Sequence, residues 1–533
     1  MPAVNASGKA QPIHEFLRHH ARLTPGKPAI IWYGREISYA ELDRLSDACA
    51  AVLAGMGVKR GEPVALYMQN CPQYVIAHAG IQKLGAIVAP CSPLFKSVEL
   101  AYQLGDLGCR VIVAADNLYP VVESVKAEAR LEHVLLVHYQ DMLPSSPSYG
   151  VPQEIRYARS LPAGCADFLA LLESQTTFLP PTEFGLDEVA LLIYTSGTTG
   201  RPKGAMLTFR NALFKTEAGV NIIGLRSDDV HLAIAPLYHI AGMLCGLNIP
   251  LYCGATVVLH YRFDAVAALE SIERHKVTYW KGVGPMLLAM MDAPGAGNYD
   301  LASLRLTSAP GYGIRMTEEF SKRWEHFTGG CAAHEVAYGL SETHTFDAVM
   351  PPNAVRWGTL GKLSPGVRCR IVEPGTAKEL RSGEQGEITL QSPGNFLGYW
   401  RNPEKTAEAL REGWLYFGDI GTLDADGYLT LLGRTKELIK VSGYSVFPED
   451  VEAILLTHPQ IEQVAILGMP DPAKGEIIKA VVVLKAEDVG KVAEQEIIAW
   501  SRKNMSAYKV PRKVEFRSDL PKAPSGKVLR KAL

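Results

Sequence analysis

The chain has 533 residues, too many for one hydrophobic core, so at least two domains are expected. Its 54 basic and 56 acidic residues give a net charge of −2, without the basic excess of nucleic-acid binding or of attraction to an anionic membrane. Nine cysteines stand singly with no Cys-x-x-Cys pair, which argues against a disulfide framework or zinc site and for a reducing compartment. The first residues lack the apolar run of a signal peptide, so a cytoplasmic protein is expected.

Strand and helix signals alternate from the N-terminus. PAIIWYG (28–34) reads as a strand; the stretch after it reads as a helix, with Ser38 and Glu41 spaced as a capping box and Leu42, Leu45, Ala48 and Val52 on one face. EPVALYM, AIVAP and RVIVAAD read as strands, with PQYVIAHAGIQKLG and SVELAYQLGDLG as the helices between them. This rhythm predicts mostly parallel sheets flanked by helices. Residues 141–182 read as irregular loop, and the pattern resumes at EVALLIYTS.

Residues 232–259 contain no Asp, Glu, Lys or Arg, a length that could span a bilayer. Pro236, His239, Gly242, Gly246, Asn248, Pro250 and Gly254 interrupt it, so a short helix and a buried strand are expected instead of an integral membrane span. After Asp419 a glycine-punctuated hairpin pattern appears, then a helix with Pro448 near its start. Two strands (QVAILGM, IIKAVVVLKA), a helix and a last strand (KVEFRS) follow. The expected fold is therefore α/β, with a large N-terminal domain over 1–434 and a small α+β domain over 435–533.

Chemistry concentrates in polar islands between apolar runs. The first, YTSGTTGRPKG (194–204), combines three glycines, several hydroxyls and two cations, as a loop that cradles phosphate needs. It lacks the spacing and the Gly-Lys-Ser/Thr ending of the common phosphate loop. The others are PLYHIAG (236–242), TSAPGYG (307–313), YGLSETH (338–344), YFGDIG (416–421) with GRTKELIK (433–440), and PSGKVLRK (524–531). Each alone is weak.

In their order and spacing these islands resemble the adenylate-forming superfamily, which includes acyl-CoA synthetases, aryl-CoA ligases, firefly-type luciferases and peptide-synthetase adenylation domains. The resemblance implies an ATP-dependent acid:CoA ligase that makes an acyl-adenylate and pyrophosphate, then acyl-CoA and AMP. It implies that Thr195, Ser196, Gly197, Thr198, Thr199, Gly200 and Lys203 hold the β and γ phosphates of ATP. Glu342 is the implied Mg²⁺ carboxylate, and Ser341 donates to the α phosphate. Tyr338 and the backbone of Ser308, Ala309 and Pro310 are expected around adenine, with Gly339 beside them; Asp419 and Arg434 are expected at the ribose. Phe417 stands where Thr is frequent. Lys527 is implied as the cation that meets the charge developing at the α phosphate.

Tyr238, His239 and Gly339 are the implied acyl pocket. PLYHIAG carries no acid to pair a substrate ammonium, which disfavours amino acids, and Gly339 replaces the pocket-closing Trp of acetate-type relatives. A medium or long fatty acid, or an aryl acid, is therefore expected. Gly443 is implied at the pantetheine tunnel and Lys436 at the hinge on which the small domain rotates. No carrier domain follows Lys527, which favours free CoA over the alternative of a stand-alone acyl-AMP ligase serving a carrier protein. A membrane transport protein using residues 232–259 is the competing class, and no motif supports a luciferase-like oxygenase.

Overall fold

The computed structural model describes residues 10–180, 182–195, 202–310, 316–335, 337–434, 439–441, 444–446, 448–471, 475–505, 507–522 and 528–533. Two seven-stranded sheets form its larger part. The first runs, edge to edge, Ala333–His334, Leu306–Ser308, Tyr279–Lys281, Val230–Ala233, Thr256–Leu259, Pro28–Trp32 and Arg35–Ser38. The second runs Ala166–Asp167, His133–Val137, Val111–Ala115, Pro63–Tyr67, Ile87–Cys91, Val189–Thr195 and Lys203–Thr208. In each, every neighbouring pair is parallel except the last.

Helices cover both faces of these strands, which is why they read as unbroken apolar runs. In Pro63–Tyr67, Val64 and Leu66 enter the main core while Ala65 and Tyr67 enter a second core on the other face. The helix Tyr39–Gly55 buries Leu42, Leu45, Ala48 and Val52 as expected, and Ser38 Oγ accepts from Glu41 N at 3.1 Å. The reciprocal half of the capping box does not form. The Glu41 carboxylate instead accepts from the Arg35 guanidinium at 3.0 Å, because the strand Arg35–Ser38 brings a cation within its reach.

The charge-free stretch folds into the strand Val230–Ala233, a helical run from Ile240 to Cys253 and the strand Thr256–Leu259. Gly254 caps that run with φ +74°, in the left-handed region where glycine is favoured. No helix among the described residues is long and apolar enough to cross a membrane. The segment expected to be irregular contains the strand Ala166–Asp167 and the helix Phe168–Ser174, whose N-terminus is capped by Asp167.

Between the two parallel sheets and the C-terminal unit in sequence comes an antiparallel block, of which only the hairpin after Asp419 was expected. Its strands are Arg368–Val372, Gly386–Gln391, Leu410–Arg411, Trp414–Leu423 and Leu429–Arg434. The C-terminal unit has the strands Ile439–Val441, Tyr444–Val446, Ile461–Asp471, Gly475–Leu484 and Lys513–Phe516, with the helices Pro448–Leu455 and Glu494–Asn504. Among the described residues its buried apolar clusters contain nothing before Ile439, and the other clusters contain nothing beyond Leu429.

Candidate active site

Strands of a parallel sheet direct ligands to the loops at their C-terminal ends, and several of the polar islands lie there. Thr195 ends Val189–Thr195 and faces Lys203 across the antiparallel pair, so the two ends of the first island lie side by side. Ser196, Gly197, Thr198, Thr199 and Gly200 lie outside the described residues. Ser308 ends Leu306–Ser308, with Ala309 and Pro310 buried behind it, and its hydroxyl lies 3.2 Å from Tyr279 Oη.

Residues 397–400 run along the Lys203–Thr208 edge. Leu397 N donates to Met206 O at 3.0 Å, Met206 N to Gly398 O at 2.9 Å and Trp400 N to Gly204 O at 2.7 Å. This backbone ladder delivers Tyr399, whose ring lies 4.1 Å from Lys203 Nζ and whose hydroxyl donates to Glu342 Oε1 at 2.8 Å. Burial, then the Glu342 carboxylate, push the Tyr399 pKa up, so it stays a neutral donor. Lys203 and Glu342 thus flank one buried phenol.

Glu342 sits in the single turn Ser341–Thr343. Three residues in succession after it, His344, Thr345 and Phe346, have φ of 58°, 59° and 53°. Left-handed backbone costs roughly 1–2 kcal/mol per residue away from glycine, so the surroundings must hold it. Thr345 N donates to Leu340 O at 2.8 Å, Asp347 N to Tyr338 O at 2.7 Å and Ser364 Oγ to Phe346 O at 2.7 Å. Below them Lys215 Nζ meets Asp347 Oδ1 at 2.5 Å, with both side chains wholly buried, and the Thr343 hydroxyl donates to the other carboxylate oxygen. Burial lowers the Lys215 pKa and raises that of Asp347; the mutual attraction of the pair opposes both shifts.

Gly339 packs against this loop. A Cβ there would lie 2.5 Å from Thr345 Cα and 2.6 Å from Phe346 N. The open space expected at this position is therefore absent: backbone atoms occupy the direction a side chain would take, and Gly339 serves close packing.

Tyr338 Oη donates to Asp419 Oδ2 at 2.8 Å, and both residues are buried. Asp419 is paired across its hairpin with Arg434, and the Phe417 ring lies 6.3 Å from that of Tyr338. Beyond the C-terminal end of the strand Val230–Ala233, His239 precedes the helix Ile240–Met243 and accepts weakly from Ala241 N at 3.4 Å. Its ring is accessible although protein surrounds it, and burial, then the charge of Lys281, lower its pKa to about 4. His239 is therefore neutral at pH 7. Tyr238 is half-buried, and burial raises its pKa.

Residues 17–400 match the AMP-binding enzyme family, and residues 450–527 match the C-terminal domain of AMP-binding enzymes. The chain belongs to the AMP-binding enzyme family. It is similar to the long-chain-fatty-acid–CoA ligase of Bacillus subtilis (strain 168), at 33% identity over 98% of this chain and 94% of the relative. It is likewise similar to a feruloyl-CoA synthase of an Amycolatopsis species, at 34% identity over 96% of each chain. Among solved structures, the anthranilate CoA ligase AuaEII in complex with anthranoyl-AMP superposes with a TM-score of 0.86 at 28% identity, covering 99% of this chain and 98% of that one. This AMP-binding enzyme is an adenylate-forming acid:CoA ligase, with ATP, a carboxylic acid and CoA as substrates.

Sequence reasoning passed over three residues that contact Glu342 or the loop after it. Tyr399 carries no periodic signal; only its place between Gly398 and Trp400 sets it apart. Lys215 and Lys281 carry one, since each is a lone charge on an apolar face or strand. Lys436, Gly443 and Lys527 lie outside the described residues, as does the Arg434 side chain.

Removing the Tyr399 hydroxyl tests the cluster. A hydrogen bond to a charged group contributes about 1.5–3 kcal/mol, so Tyr399→Phe should lower kcat/KM for ATP roughly tenfold or more while the fold survives. Pyrophosphate release at varied ATP measures it, and an unchanged value removes Tyr399 from the site.

Proposed function

We propose that this ligase activates a medium or long fatty acid or an aryl acid, and that Glu342, held by Tyr399 beside Lys203, is the centre of its nucleotide site. That convergence carries the reading. It unites residues far apart in sequence with an island of phosphate-binding composition. Lys203 and that island would hold the β and γ phosphates while the acid's carboxylate oxygen attacks the α phosphorus and pyrophosphate leaves. Ser341 and Lys527 would meet the negative charge that develops there. Asp419 would accept from the ribose hydroxyls, with Arg434 assisting, and Tyr338 would lie against adenine.

Mg²⁺ fits this donor set. Among the described residues no group of three or more His, Cys, Asp or Glu could cage a metal ion, while one carboxylate beside the phosphates is what Mg²⁺ takes in nucleotide sites. Glu342 would hold it, and the ion would supply positive charge to the phosphate oxygens.

In the second half-reaction the CoA sulfur attacks the acyl carbon and AMP departs. Lys527 must then withdraw and Gly443 approach, so residues 435–533 would rotate about Lys436. The division of the buried clusters on either side of 434 supports this boundary. Nine free cysteines support a cytoplasmic setting.

The acid assignment rests on a half-buried Tyr238, a neutral His239 and no carboxylate on that island to pair an ammonium. Assayed by pyrophosphate release, decanoate, palmitate, cinnamate and benzoate should include good substrates, with acetate and free amino acids poor. Turnover of acetate or an amino acid above all of these would overturn it.

A further inference from the structure

We propose that Lys281 determines specificity in the acyl pocket by selecting acids whose far end carries an acceptor oxygen, a second carboxylate or a hydroxyl, over acids that end in a methyl group. The inference deepens the function proposed above and rests on it. Lys281 ends the strand Tyr279–Lys281, between Val230–Ala233 and Leu306–Ser308, and is paired in register with Ser308. Alternation sends Trp280 to the opposite face, where its ring lies 5.9 Å from that of Trp324. Tyr279 and Lys281 share the other face, where Tyr279 meets Ser308.

Lys281 is only 9% exposed. Three lysines are buried among the described residues, and the other two have carboxylates: Lys83 meets Asp43 at 2.5 Å and Asp47 at 3.0 Å, and Lys215 meets Asp347 at 2.5 Å. Lys281 has no carboxylate partner among the described residues. Its ammonium lies 5.6 Å from the Phe346 ring and within electrostatic reach of the Cys245 thiol and the His239 imidazole. A thiol and a ring replace water poorly around an ammonium, so burial here is costly until an anionic or acceptor oxygen arrives. His239, exposed and within electrostatic reach of Lys281, would offer that oxygen a second polar contact. A methyl-ended chain reaching this place would leave the ammonium unsatisfied, and discrimination by an unpaired buried polar group is large.

The test compares acids matched in length, decanoate with decanedioate and cinnamate with 4-hydroxycinnamate, by kcat/KM from pyrophosphate release with the full-length enzyme. The expected result is a preference of roughly tenfold or more for the oxygen-tipped member in at least one pair. Lys281→Met should reverse that preference, raising kcat/KM for the member without the terminal oxygen, and Lys281→Arg should retain it. A carboxylate source favours decanedioate, and a hydroxyl source favours 4-hydroxycinnamate. Preference for the acid without the terminal oxygen in both pairs, or an equal fall for both members in Lys281→Met, overturns the inference. Where Lys281→Met does not fold, the wild-type and Lys281→Arg preferences decide. Active turnover without any oxygen preference sinks this inference alone; no turnover of any acid sinks the acid assignment with it.

Discussion

Lys527→Ala is expected to lower pyrophosphate release from ATP and acid by roughly 10²–10³-fold, while acyl-CoA formation from supplied acyl-adenylate stays near the wild-type rate. The reason is the timing of charge. Attack on the α phosphorus concentrates negative charge on its oxygens, and a preorganised cation aimed there is worth about 3–4 kcal/mol, comparable with the loss of one oxyanion donor. Attack of the CoA sulfur on the acyl carbon displaces a phosphate that is already formed, so the same cation contributes little. The proposed rotation of residues 435–533 makes the same demand, since it withdraws Lys527 before the thiol arrives. Equal losses in both half-reactions would assign Lys527 a general role in binding or folding, and a normal rate of pyrophosphate release would remove it from the site.

The second large effect is structural. Lys215→Met should destabilise the large domain by about 3–5 kcal/mol, because it strands the Asp347 carboxylate in a wholly buried place. The Thr343 hydroxyl cannot replace a cation there. Pairing Lys215→Met with Asp347→Leu removes both charges and should recover much of the loss, so the two changes should be strongly non-additive. Denaturant midpoints of the single and double variants measure this. The loop from Leu340 to Asp347 is tied to that ion pair, so Lys215→Met should also lower the rate of adenylation through a displaced Glu342. A single variant as stable as the wild type would show that the pair does not hold the loop.

What could be read from the sequence follows from how each element is stabilised. Strands such as Ile87–Cys91 and Val111–Ala115 are buried on both faces and leave unbroken apolar runs that a reader can see. The C-terminal helices and long strands were legible for the same reason. Of the antiparallel block from Arg368 to Arg434 only the hairpin after Asp419 was, because several of the other strands are short and half-exposed, with glycine-rich turns between them. Ser38 and Glu41 had the right spacing for a capping box, yet a tertiary partner, Arg35, took the carboxylate.

The site divides similarly. Island residues could be named because spacing along the chain carries the resemblance, whereas Tyr399, 57 residues from Glu342 in sequence, reaches it only through pairing with the Lys203–Thr208 edge. Gly339 was read as empty space because a sequence does not record which backbone lies opposite a missing Cβ. Lys281 was passed over at the end of an apolar strand, where a lone charge is itself the signal.

The central claim is that this chain makes an acyl-adenylate before it uses CoA. Acid-dependent exchange of labelled pyrophosphate into ATP, followed with CoA absent, tests it most directly. Exchange should appear with a fatty or aryl acid and vanish without one, and adding CoA should then release AMP and acyl-CoA in equal amounts. Release of ADP and phosphate, or exchange that requires CoA, would contradict the account.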